Sequence, residues 1–175
     1  MLLSIKKLYP IILFLALLSE VHCQEIDPKR LLNAQSVSII TFDENGNIIA
    51  KSGPVECDLY IVTDIEGIIW LLANTTSSFI PTSEAKLEQD EDEIGEFISI
   101  SCKAKEFTVN TESEDIKNNG DVDISLVFYL SEMIFEFKII KLIEQDSYEV
   151  IQVRSFFGVY EKLQKETIFR SYNFV

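Results

Sequence analysis

The most reactive side chains in this 175-residue chain are three cysteines, Cys23, Cys57 and Cys102, and a single histidine, His22. Cys23 and His22 close an N-terminal leader, so the chain expected to remain has two thiols and no imidazole. Without imidazole there is no usual base for a Ser or Cys nucleophile and no typical set of catalytic zinc ligands. Two carboxylates can hydrolyse a glycoside unaided, but among 29 acidic residues some pair falls at a suitable distance by chance. The expectation is a protein that is not an enzyme and needs no cofactor.

Two thiols in an oxidising compartment read as a disulfide, Cys57 to Cys102. A loop of that length stabilises by roughly 4 kcal/mol in the chain-entropy treatment. The other chemically suggestive feature is a carboxylate run inside residues 84–96: Glu88, Asp90, Glu91, Asp92 and Glu93. Calcium favours several oxygens, yet neither this run nor Asp43-Glu44-Asn45-Gly46 has the glycine and ligand spacing of an EF-hand loop. The run therefore reads as a solvated, self-repelling acidic loop, a candidate surface for a cationic partner rather than a metal site. Asn74-Thr75-Thr76 is a glycosylation sequon, which places Asn74 on an exposed loop of a secreted chain.

Residues 1–23 carry a positive Lys6-Lys7 start, an apolar Ile11 to Leu18 core and a cleavage site at Val21-His22-Cys23, the pattern of a secretory signal. Its apolar run is too short for a membrane span. Residues 24–175 form one extracellular domain, long enough for a real core. Removing Lys6, Lys7 and Glu20 leaves 13 basic and 28 acidic residues, a net charge of −15. Nucleic acid is thereby an improbable partner, since binding it relies on neutralising phosphate.

The elements that must position these residues are mostly strands. Asp27-Pro28 starts a short helix by capping chemistry. Asn45-Gly46 between β-rich runs marks a hairpin. Gly53-Pro54 breaks the chain before a strand at Val55 to Asp64, where Val55, Cys57, Leu59, Ile61 and Thr63 alternate with Glu56 and Asp58. Ile68 to Ala73, Ile94 to Lys103, Ala104 to Thr111 and Tyr148 to Phe157 are further strands, and Asn118-Asn119-Gly120-Asp121 is a tight turn. Val122 to Ile143 is apolar on both faces and charged at Glu132, Glu136, Lys138 and Lys141. That reads as two buried strands meeting near Ser131 to Met133, not a membrane span. Residues 159–175 favour a helix and then a short strand.

The fold class expected is all-β, mainly antiparallel, a single-domain sandwich or barrel of about eight strands with a short N-terminal helix and a possible C-terminal one. In length, secretion and a lead-in helix before up-and-down strands, the chain resembles the lipocalin type of carrier. That resemblance implies a barrel enclosing a small apolar ligand; Trp70, Phe42, Phe128, Phe135 and Phe137 are candidate lining for such a cavity, although core packing is the default reading of these aromatics. The lipocalin Gly-x-Trp is absent, since Trp70 follows Ile68-Ile69. In composition the chain is similar to arthropod salivary or venom proteins. The leading functional expectation is a secreted binding or effector protein with an extracellular macromolecular target, and the alternative is the carrier.

Overall fold

The computed structural model describes residues 31–63, 68–72, 76–110, 115–145 and 148–161. They form nine strands: β1 (Leu31–Phe42), β2 (Ile48–Thr63), β3 (Ile69–Leu72), β4 (Thr76–Pro81), β5 (Lys86–Glu91), β6 (Glu96–Val109), β7 (Ile116–Tyr129), β8 (Ile134–Gln145) and β9 (Tyr148–Val159). All pairings are antiparallel. Apolar side chains at a period of two give each strand one face to bury, and the alternation of turn and strand makes the chain meander.

Pairing of β4 with β6 and of β1 with β9 closes eight strands into a barrel. β5 is the extra strand: it continues β4 along the same edge of β6, above the point where β3 ends. Register fixes the width. The path Phe97, Tyr129, Ile134, Val159, Asn33, Tyr60 and Leu72 ends one residue past Leu71, whose partner Ser77 leads back to β6 at Thr108, far along the strand from Phe97. Stagger and strand number set a barrel's tilt and diameter together, and at eight strands the interior either fills with side chains or holds one small ligand.

The two halves of this barrel differ in how completely their inner faces are buried. Towards the upper end, where residues 130–133 join β7 to β8, the inward-facing Leu32, Ile61, Phe79, Phe128, Phe135 and Phe137 are fully buried. Phe79 meets Phe137 edge-on with centroids 5.7 Å apart, and Phe128 meets Tyr160 at 4.9 Å. Towards the lower end, where the β1–β2 and β8–β9 turns lie, the inward-facing Val37, Ile39, Thr41 and Gln152 are only half-buried. The inner wall is thus sealed in the upper half and partly solvent-exposed in the lower.

Several sequence expectations change. The hairpin is present, with Gly46 at φ 81° and Asp43 Oδ1 accepting from the amides of Asn45 and Asn47. Gly53-Pro54 does not break the chain, because both residues sit inside β2 at an irregularity in its pairing with β1. Gly53 allows this: its φ is 94°, and a Cβ there would lie 2.6 Å from Val37 O. Likewise Asn118 to Asp121 is no turn but a bulge within β7, between the pairings of Glu106 and Phe107. Val55 is 56 % exposed although Ile61 and Thr63 on its face are buried, since lower β2 has no strand on its far side among the described residues. Leu31 and Leu32 are strand, while the rest of the expected N-terminal helix, the signal segment and most of the C-terminal tail fall outside the described residues. No helix occurs among the described residues, and none is long and apolar enough to cross a membrane.

Candidate functional site in the lower lumen

Where the phenylalanine-filled half ends, the inner wall turns charged. On β6 the inward face runs Ile100, Cys102, Ala104 and then Glu106. On β9 it runs Gly158, Phe156 and then Arg154, and on β8 Phe137, Ile139 and then Lys141. Register brings Glu106 level with Phe79 of β4 and Arg154 level with both Ile39 of β1 and Ile139 of β8.

Glu106 joins the three. Its Oε1 accepts from Arg154 Nη2 at 2.7 Å and its Oε2 lies 3.4 Å from Lys141 Nζ. The Glu106 side chain is 3 % exposed, against 23 % for each cation, so the carboxylate is sealed while the cations remain partly exposed. A buried carboxylate requires such partners, since desolvating an unpaired charge costs far more than the pair returns. The set is unbalanced: one carboxylate faces two cations. Arg154 Nε, buried, has no acceptor among the described residues. A buried donor left bare costs roughly 1–3 kcal/mol, more on a charged group.

These three residues were readable as an anomaly. Glu106 follows Cys102 and Ala104 on the apolar face of its strand, and Arg154 shares a face with Phe156. A charge on the apolar side of an alternating strand marks a buried ion. Lys141, between Ile140 and Leu142, reads in the sequence only as one of the charges that interrupt an apolar stretch, and Glu106 and Arg154, with polar neighbours at Lys105 and Ser155, do not stand out.

The carboxylates singled out from the sequence lie elsewhere. The run does not loop out: Lys86–Glu91 is β5, paired residue by residue with Ser101 to Glu96, so Glu88, Asp90 and Glu91 lie on a strand. Asp92 and Glu93 belong to the tight β5–β6 turn. Asp92 Oδ1 accepts from Ile94 N at 2.8 Å and Asp92 Oδ2 from the Tyr129 hydroxyl at 3.0 Å. These bonds, led by that of the Ile94 amide, hold Asp92 below the ordinary carboxylate range. Backbone pairing absorbs the repulsion expected to keep the segment mobile. Among the described residues no three Asp, Glu, Cys or His side chains group as a metal site.

Cys57 and Cys102, expected as a bridge, are free thiols in the structure. They stand on β2 and β6, with β3 and β4 between, and Cys57 Sγ donates to Ala34 O at 3.4 Å. Burial raises both thiols, that of Cys102 to about 11. Of the candidate lining, Phe128, Phe135 and Phe137 do face inward. Trp70 and Phe42 alternate with the inward Ile69, Leu71 and Thr41 and so face outward. Asn74 lies outside the described residues.

No protein-family profile, no curated protein and no solved structure matches the chain.

Proposed function

We propose that this chain is a secreted, non-enzymatic binding protein that carries a small ligand in the lower half of its barrel. The observation that supports it is the lumen's division: inward-facing Ile39, Thr41 and Gln152 are only half-buried, while the aromatic layer above, against which Val37 packs, is closed. Barrel mouths that combine apolar wall with a few convergent polar groups are preferred ligand sites. A neutral amphiphile, 1-octanol, is the simplest probe. Saturable shifts of the backbone amides of Val37 to Thr41 and Gln152 to Arg154 are expected, together with a rise in unfolding free energy of about 2.7 kcal/mol at one hundred times Kd. A titration of octanol and its carboxylate analogue that moves no lumen amide overturns the reading. Trp70 fluorescence is not the readout, because that ring is outside the barrel. Secretion is tested by the intact mass of the exported product, which reports cleavage after Cys23, the glycan at Asn74 and the state of both thiols.

A second reading, a cationic macromolecular partner, is favoured by β5. All six of its residues are exposed, and its outer edge has no strand partner among the described residues. Such an edge accepts an extended segment by main-chain pairing, and acids along it select cationic ones. The triple variant E88Q/D90N/E91Q is expected to weaken such a partner's binding and flatten its salt dependence, with equal binding at 50 and 500 mM salt in both proteins counting against it.

A further inference from the structure

We propose that the lower lumen binds the carboxylate of a small organic anion between Arg154 and Lys141. This rests on the carrier reading and adds the ligand's charge. The first support is the sign of the site. The chain carries a formal charge of −14, yet the buried cluster of Glu106, Lys141 and Arg154 has net charge +1. Two cations are directed inwards where one would balance the carboxylate.

The second support is geometric. Glu106 uses one oxygen for each cation, so neither is engaged by both oxygens. A guanidinium presents its donors as a rigid planar fork suited to two carboxylate oxygens at once. Here Glu106 takes only Nη2, and the buried Nε has no acceptor among the described residues. The Lys141 contact, at 3.4 Å, is long for a charge-assisted bond and leaves its ammonium free to turn to a second acceptor.

The third support is access and surroundings. Both cationic side chains are 23 % exposed although they face inwards, so neither is sealed off as the Glu106 carboxylate is. Beside Arg154 the wall is Ile39, with Val37 next to Phe156, all on the inner face. The site fits a carboxylate joined to a short apolar body. A neutral hydroxyl offers one acceptor and no countercharge where a carboxylate offers two oxygens and a charge, and a cation would be repelled.

The experiment is calorimetric titration of the whole protein at pH 7.5 and low salt with octanoate and 1-octanol. Octanoate is expected to bind at least tenfold more tightly. R154Q should lower octanoate affinity at least tenfold and leave octanol unchanged, while E106Q, by removing the resident competitor, should raise octanoate affinity. That opposition of sign separates recognition from support, because a merely structural cluster makes both variants bind worse. If R154Q does not fold, K141M takes its place with the same expected direction. Equal affinity for octanoate and octanol in the unsubstituted protein overturns the anion assignment and leaves the carrier standing. Binding of neither overturns both.

Discussion

Glu106 shows how far one residue can depart from its sequence context. Its carboxylate is the shared acceptor for two cations inside the barrel, so removing it leaves both without a counter-charge in a partly desolvated site. Glu106→Ala is expected to lower the unfolding free energy by about 3 kcal/mol, the scale on which buried pairs break. Urea denaturation should show a lower midpoint with an unchanged slope, and a loss under 1 kcal/mol would mean that solvent already screens the trio. The thiols give a second residue-level expectation. Burial, aided by the nearby Asp123 charge, pushes Cys102 to about 11, while Cys57 is less covered. Since thiolate is the reactive form, iodoacetamide at pH 8 should modify Cys57 well before Cys102 in the native protein, and peptide mapping that finds the reverse order contradicts the arrangement.

At the scale of elements, alternation and turn chemistry made most of the strands legible. The Asn45-Gly46 hairpin, the β7–β8 pair meeting at Ser131 to Met133, and β9 all follow from local pattern. What local pattern could not supply was whether a breaker ends a strand or bends it. Gly53-Pro54 and Asn118 to Gly120 carry turn residues, yet both are held within strands because the partner on one side, β1 or β6, continues the ladder past them. The acidic run departs from the expected loop for the same reason: a partner strand, β6, fixes it. Sandwich and barrel were equally open in the sequence, since closure depends on β1 meeting β9. Gly158 shows closure acting on a single position. A Cβ there would run into Asn33 O and lie 2.7 Å from the Phe135 ring, so glycine is what lets β1 and β9 approach over that ring. Gly158→Ala is expected to cost about 3 kcal/mol by overpacking. Thermal unfolding should register it, and a variant as stable as the parent would show that Phe135 has room to move aside.

For the whole molecule, the upper end is where distant parts of the chain are tied together. Tyr129 of β7 donates to Asp92 of the β5–β6 turn, and the Tyr160 hydroxyl, beyond β9, donates to Tyr129 O. Burial and the Asp92 carboxylate raise Tyr129 to about 12 from 10.0, and burial raises Tyr160 in the same direction. Cys102 is raised to about 11 from 9.0. In each case the folded protein holds a proton that the unfolded chain releases, so folding stability is complete below the ordinary value and falls as pH rises through the raised one. The loss therefore begins near pH 9 with Cys102 and runs to about pH 12 with Tyr129. An acidic chain also repels itself more strongly as its lysines lose charge, which would give the same trend by another route. Salt separates the two, because self-repulsion between exposed charges is screened at 0.5 M whereas buried hydroxyls are not. Urea midpoints at pH 8, 10 and 11 should still fall in 0.5 M salt, and Tyr129→Phe, which removes one titrating group, should be less stable at pH 8 but lose less between pH 10 and 11. A parent protein whose alkaline loss vanishes in salt would assign the effect to surface charge and release the upper end from this role.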